Sequence, residues 1–463
     1  MIRPLFVLLL CLFLIPATVA AQTADAIKGA AGAPIDGKKG SIGAGVGFGM
    51  IGDDVYTTLN LSFTMDLGEI GFGLMAPLRL CLYDANPEEK GKIGGVIRRQ
   101  DWNEFTDYLK ILRFFRYGHK GDFVHVMVGS LPGASLGHGT IANRYYNNLD
   151  LDHYKLGLVM DLNTAYGGVE TLFNNAVLSN LLGMRGYFRP WSVVNKESYL
   201  NNLAVGASVV SDVTAPYRLD PSGAVENGYP KVDGTKGATI YGGDVEFTLL
   251  NNAIIRLIPY MDLNRIVEAG LGYHAGVLTT FHIPVVSLDL QTRLEYRRLT
   301  ADYIPAYFNS NYEIQKFQYA MDVNRPVPKR AVVAQSGDAG INGYFAEVGF
   351  DFMGLVSFGG SYDDYDGPNN SNLRLYLDVP ALKVFQFSCF YYKGGFDGAA
   401  QAFKFDDKSM FLVEARYQIN PILYVSGQYW RIWKLYEGSD PDKAGTYQAV
   451  NDWSAGFGMS YNF

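Results

Sequence analysis

The sequence predicts an all-β fold, a transmembrane antiparallel up-and-down β-barrel of about 20 strands, with about 18 as the alternative count. Three observations predict it. Apolar and polar side chains alternate with period two through most of the chain. No apolar run of about 18 residues recurs after the N-terminal segment, so membrane helices are not expected. The connections between alternating segments switch between tight turns and long polar loops.

The first element is a targeting segment. Arg3 precedes an apolar stretch from Leu5 to Ile15, and Pro16 and the small residues Ala17, Thr18, Ala20 and Ala21 follow. This reads as a secretory signal peptide over residues 1–21, cut after Ala20 or Ala21. The apolar stretch is shorter than the roughly 20 residues that a membrane-spanning helix needs. Residues 22–40 are small and polar, the composition of a flexible periplasmic tail; a short lumen plug is the other option. The barrel is then expected over residues 41–463.

Composition agrees with this division. Charged residues make up 18% of the chain, below the quarter usual for soluble domains. The 32 Tyr, 28 Phe and 52 Gly suit half-exposed strands joined by turns. A net charge of −7 without basic clusters argues against nucleic acid as a partner. Cys11 falls in the signal peptide. The strand phases point Cys81 inward and Cys389 outward, so no disulfide framework is expected.

The last strand shows the alternation most clearly. Trp453, Ala455, Phe457, Met459, Tyr461 and Phe463 share one face, and Ser454, Gly456, Gly458, Ser460 and Asn462 share the other. This ending resembles that of bacterial outer-membrane β-barrels, porins among them, which close with such a strand and a terminal Phe. The resemblance covers the chain from about Ser41 to Phe463. It implies an outer-membrane location, contact with membrane lipid and lipopolysaccharide, and recognition of Phe463 by the barrel-assembly machinery.

Upstream strands repeat the pattern. Leu288, Leu290, Thr292, Leu294 and Tyr296 oppose Asp289, Gln291, Arg293, Glu295 and Arg297. Thr57, Leu59, Leu61 and Phe63 oppose Thr58, Asn60 and Ser62. Charges of both signs sit in mid-strand, which fits a wet lumen better than a packed soluble core. Tight connections are expected at Asp66–Gly68, Gly118–Asp122, Asn163–Gly168, Asn251–Asn252, Ile283–Val285, Met353–Leu355, Val379–Ala381 and Asn420–Pro421. Long ones are expected at Ala85–Phe105, Leu131–Asp152, Thr214–Lys236, Ala301–Gly340, Lys393–Asp406 and Glu437–Val450. Short turns would face the periplasm and long loops the exterior, with both chain ends on the periplasmic side.

Function is then a matter of the lumen. The strand phases, with one loop arginine added, give as pore-lining candidates Arg144, Arg185, Arg189, Asp244, Glu246, Arg256, Arg293, Glu295, Arg297, Arg374, Glu414 and Arg416. Charges facing water are cheap there, whereas on the lipid face they cost roughly 2–4 kcal/mol at midplane. Leu131–Asp152 follows the fifth strand, and in general porins that loop folds into the lumen as a constriction. Its candidates are His138, Tyr145, Tyr146 and Asp150, while a plain extracellular loop is the competing reading. Arg144, Arg293 and Arg297 are candidates for steering solutes.

Catalysis finds no support. The chain has six His but no GxSxG elbow and no HExxH helix. Asp364, Asp366 and Gly367 lack the spacing of a calcium loop. No enzyme activity, metal or cofactor is expected. The sequence reading is a porin-like channel for passive diffusion of small polar solutes. An outer-membrane receptor or adhesin acting through its long loops is the alternative.

Overall fold

The computed structural model describes residues 40–51, 53–84, 93–94, 97–98, 101–102, 105–149, 153–195, 198–333, 340–379, 384–436 and 440–462. The expected signal peptide, most of the N-terminal tail, Asp150 and Phe463 lie outside the described residues.

Twenty long strands follow one another around a single closed wall. They are β1 Gly40–Ile51, β2 Asp54–Asp66, β3 Ile70–Tyr83, β4 Leu112–Tyr117 and β5 Val124–Gly129. Next come β6 Gly157–Asn163, β7 Gly167–Phe173, β8 Leu181–Phe188, β9 Leu203–Asp212 and β10 Ala238–Phe247. Then follow β11 Ile255–Ile266, β12 Leu271–Ile283, β13 Leu288–Thr300, β14 Gly340–Phe352 and β15 Val356–Tyr365. The last are β16 Ser371–Val379, β17 Phe385–Phe396, β18 Ser409–Gln418, β19 Leu423–Leu435 and β20 Tyr447–Asn462. Each pairs antiparallel with its neighbours. The barrel closes where β1 pairs with β20, from Ser41 opposite Asn462 to Gly49 opposite Ser454. An even strand number puts both strand-bearing ends of the chain at the same rim.

The faces sort as the period of two requires. On β13 Arg293 is 5% exposed and Glu295 4%, while Leu294 between them is 58% exposed. Leu59 and Leu61 face out beside inward Thr58 and Asn60, and Phe457 and Met459 face out beside inward Ser454. Neighbouring strands keep this phase, so an apolar, aromatic-rich surface surrounds the whole wall and the charges line its inside. A soluble protein cannot leave so much apolar wall in water. A closed barrel in lipid leaves no backbone group unpaired and gives that surface its solvent. The wall is therefore that of an outer-membrane barrel, with short turns at the periplasmic rim and the long loops outside.

The connections depart from expectation in places. The periplasmic link between β8 and β9 is long and holds the short helix Trp191–Val194. Several outer connections are brief, as at residues 267–270 and 366–370. The last long loop ends early, because β20 already begins at Tyr447. Strands β4 and β5 have only 6 residues each, shorter than a full crossing suggests. The wall is lowest there because the chain leaves it for the interior right after Gly129.

Among the described residues, two loops enter the lumen: the β5–β6 loop, described over residues 130–149 and 153–156, and the β13–β14 loop, described over residues 301–333. Ala142–Asn143 of the first pairs in parallel with Phe308–Asn309 of the second. Leu131, Ile141, Tyr145, Tyr303, Tyr307, Phe308 and Tyr312 form an apolar core with inward Leu172, Leu181, Val210, Ile240, Ile266 and Leu299. On the far side Tyr146, Leu149, Ile314 and Phe317 pack against Phe390, Tyr392, Met410, Leu412 and Trp430. The expectation of a polar lumen is thus corrected for the part against which these loops pack. The lumen's outer half carries apolar wall residues that meet the folded loops.

Candidate functional site

The site is the underside of the β5–β6 loop and the wall it rests on. Chain reversals at Gly137 and Gly139 bring the loop down to the strands. Gly137 has φ +53, and a Cβ there would lie 2.8 Å from Cδ of Arg185; Gly139 has φ +76, and a Cβ there would lie 2.9 Å from Nη1 of Arg293. Only glycine combines that backbone with so close an approach.

His138, between these glycines, is the pivot. Its Nδ1 lies 2.8 Å from Oδ1 of Asp262 and its Nε2 lies 2.8 Å from Oε2 of Glu246. Its ring stacks on Tyr260, centroids 4.0 Å apart. Burial works against a charged imidazole, but the hydrogen bonds to Asp262 and Glu246 outweigh it and raise His138 from 6.5 to about 9. At neutral pH both ring nitrogens therefore carry a proton and both donate. Asn264 donates to Thr140 at 2.9 Å, and Thr140 donates to Asp262. The Gly137 amide donates to Glu170 at 2.9 Å.

Arginines complete the set. Arg185 holds Asp244 through two bonds, at 2.6 and 3.0 Å, and reaches Glu170 at 3.1 Å. Arg144 pairs with Glu347 across the lumen. Glu295 lies between Arg293 and Arg297, bonded to the first at 2.7 Å and to the second at 2.6 Å. Both guanidiniums also face the Phe345 ring, 4.8 and 4.3 Å from its centroid.

Beneath the loop lies a cavity of about 530 Å³. It runs from His119 and Lys120 at a periplasmic turn up to Gly137, His138 and Arg144 of the loop. Arg116 and Arg293 line its sides, and Glu347 supplies a carboxylate.

Of the candidates named from sequence, His138, Arg144, Arg185, Asp244, Glu246, Arg293, Glu295 and Arg297 gather around the loop. The others do not. Arg189 sits past the end of β8 and donates to the Thr164 carbonyl at 2.6 Å. Arg256 is exposed near the periplasmic end of β11. Arg374 lies farther along the wall, facing the Tyr392 ring but still within electrostatic reach of Arg144 and Glu347, and Arg416 lies 3.3 Å from Glu414 and over the Tyr424 ring. Tyr145 and Tyr146 do not face the cavity: they are buried among packed loop residues.

Sequence reading took residues 301–340 for a plain outer loop and so missed Glu313. Tyr145, Lys155 and Lys316 all donate to that carboxylate, Lys316 at 2.7 Å. Burial opposes the charge on Glu313, but Lys155 and Lys316 hold it far below the usual carboxylate range. Tyr312 donates to Asp212 of β9 at 2.8 Å. The signal was present in the density of Tyr303, Tyr307, Phe308, Tyr312, Ile314 and Phe317, which is too apolar for an outer loop left in water.

No protein-family model matches the chain, and no curated protein matches it. Among solved structures it is similar to the outer membrane protein OpdK of Pseudomonas aeruginosa, at 11% identity and TM-score 0.33, over 92% of this chain and 98% of that one. It is similar to OccAB2 of Acinetobacter baumannii, at 10% identity and TM-score 0.32, over 92% and 100%. It is also similar to the ferric enterobactin receptor PfeA of Pseudomonas aeruginosa, at 8% identity and TM-score 0.37, over 93% and 82%. Likenesses this distant decide nothing about substrate. The chain's own closed wall, apolar outside and charged within, is that of an outer-membrane β-barrel.

Proposed function

We propose that this protein is a porin-like channel for passive diffusion of small polar solutes across the outer membrane. The observation that carries the reading is the β5–β6 loop, folded into the lumen above a cavity of about 530 Å³ lined by charges. Arg144, Arg293 and His138 form its narrow part, and Arg185, Asp244, Glu246, Glu295 and Arg297 hold the loop and wall in place. Arg116, Lys120, Arg144 and Arg293 line the cavity beside Glu347, so the selectivity proposed is weak, with anions favoured. Liposome swelling tests this: vesicles bearing the protein should admit small sugars and organic acids, and impermeability to all of them would contradict it.

The second reading is a receptor whose outer loops carry the function. It is favoured by the apolar packing of two loops across the outer half of the lumen. Under that reading the same vesicles stay sealed.

A further inference from the structure

The β9–β10 connection, residues 213–237, is a long hairpin. Pro216–Leu219 pairs with Val232–Thr235, and nearer the tip Val225–Glu226 pairs with Tyr229–Pro230. It springs from β9 and β10, ten strands around a twenty-strand wall from β19 and β20, which is the opposite side of the mouth. Its tip nevertheless touches the β19–β20 loop. A Cβ on Gly223 would lie 2.4 Å from the Ala444 carbonyl oxygen, and one on Gly445 would lie 2.9 Å from the Gly223 carbonyl oxygen. The hairpin and the β19–β20 loop therefore together span the mouth.

What lies under it is equally specific. Tyr229 is sandwiched between His153, at 3.7 Å between ring centroids, and Phe317, at 5.4 Å. His153 Nε2 donates to the Asn227 carbonyl at 2.7 Å. His153 belongs to the β5–β6 loop and Phe317 to the β13–β14 loop, so one tip contacts both lumen loops and the far rim. The base is held differently. Arg330 donates to the Gly237 carbonyl at 3.1 Å and to the Val267 carbonyl at 3.2 Å, which fixes the root of the hairpin beside its own strands. Glycine contact, ring stacking and one hydrogen bond at the tip are easier to undo than a buried guanidinium at the root.

We propose that this hairpin is a gating strap, hinged at β9 and β10, whose tip leaves the β19–β20 loop when the channel opens. The proposal rests on the channel reading above. With the tip seated, the route from outside to the cavity is covered by the strap and by the loops it clamps. With the tip free, the strap no longer covers the mouth, and His153 and Phe317 lose their common partner, which loosens the two lumen loops beneath.

A reversible cross-link tests this in the full-length protein. Cys81 and Cys389 are first replaced by Ser, and Gly223→Cys and Ala444→Cys are added. A Cβ on Gly223 would lie 2.9 Å from the Ala444 Cβ, so a small retreat of the tip brings the pair to disulfide spacing. Single-channel current is read before and after reductant, and Tyr229→Ala is measured alongside. The strap predicts that the oxidised protein is shut, that reductant raises open probability at least about tenfold, and that Tyr229→Ala opens more often than the parent. Equal conduction in the oxidised, bridged protein and the reduced one overturns the strap and leaves the channel standing. Gly223 has φ +72, so a Cys there can itself displace the hairpin; where the pair does not bridge, Tyr229→Ala decides, and an open probability equal to the parent's overturns the strap. A parent that never conducts overturns the channel reading itself, and the strap with it.

Discussion

Tyr145 donates its hydroxyl proton to Glu313, joining two loops 168 residues apart in the chain. Lys155 and Lys316 converge on the same carboxylate. The two loops therefore form one folded unit packed in the outer part of the lumen, above the cavity.

Glu313→Leu would leave Lys155 and Lys316 without their shared counter-charge in a buried place. Breaking one side of a buried ion cluster costs about 3–5 kcal/mol. Tyr145→Phe removes one neutral donor and should cost about 1 kcal/mol. Thermal unfolding in detergent should rank parent, Tyr145→Phe and Glu313→Leu in falling order. Equal melting temperatures for all three would mean the two loops are not coupled.

His138 gives the loop a pH dependence. Its pKa is raised from 6.5 to about 9 in the folded protein, because Asp262 and Glu246 outweigh the effect of burial. A raised pKa means that this contribution is fully present below pH 6.5 and is lost as pH rises through about 9. Hydrogen-exchange protection around residues 135–146, corrected for intrinsic rates, should fall as pH passes 9. In His138→Gln the protection should be lower at neutral pH and flat with pH. A pH-dependent parent and variant that behave alike would remove His138 from this role.

Gly137→Ala tests the close approach of loop and wall. The left-handed backbone costs about 1–2 kcal/mol with a side chain present. The new methyl would also press on Arg185, which holds Asp244. A lowered melting temperature with faster exchange in the loop is expected, and an unchanged protein would show that the turn can relax freely.

Arg144→Ala removes a guanidinium from the cavity lining and leaves Glu347 facing it. If solutes pass here, conductance should rise about twofold and ion preference should move toward cations. Conductance and reversal potential both equal to the parent would place the constriction elsewhere.

On the wall, Leu294→Arg would set a charge against lipid and should cost about 2–4 kcal/mol if the position lies near midplane. The native neighbour Arg293 faces the other way at no such cost. Folding yield into vesicles should drop for Leu294→Arg, and a yield equal to the parent would argue against a lipid-facing outer surface.

The wall was legible in the sequence because side-chain direction alternates strictly along a strand. Leu288 to Arg297 sorted correctly into outside and inside, and the twenty-strand count follows from turns such as Met353–Leu355. The loop interior was less legible. Its position after the fifth strand suggested an inward loop, but nothing in the spacing of His138 reveals Asp262, which lies 124 residues later in the chain. Residues 301–339 were misread because loop length was weighed and aromatic density was not. The place of Tyr145 and Tyr146 in a loop expected to constrict the lumen makes them solute-facing candidates, whereas both are buried and their bulk serves packing. Arg256 and Arg189 share the inward phase of their neighbours but sit at or past strand ends, and a period of two carries no information about height in the membrane.

The most direct test of the whole account is single-channel recording of the refolded protein in a planar bilayer, with sugars and organic acids as blockers. The account predicts stepwise, ohmic openings that are weakly anion-preferring and are blocked by some of these solutes. A correctly folded, bilayer-inserted barrel that never conducts would contradict it and leave the outer loops as the place where this protein acts.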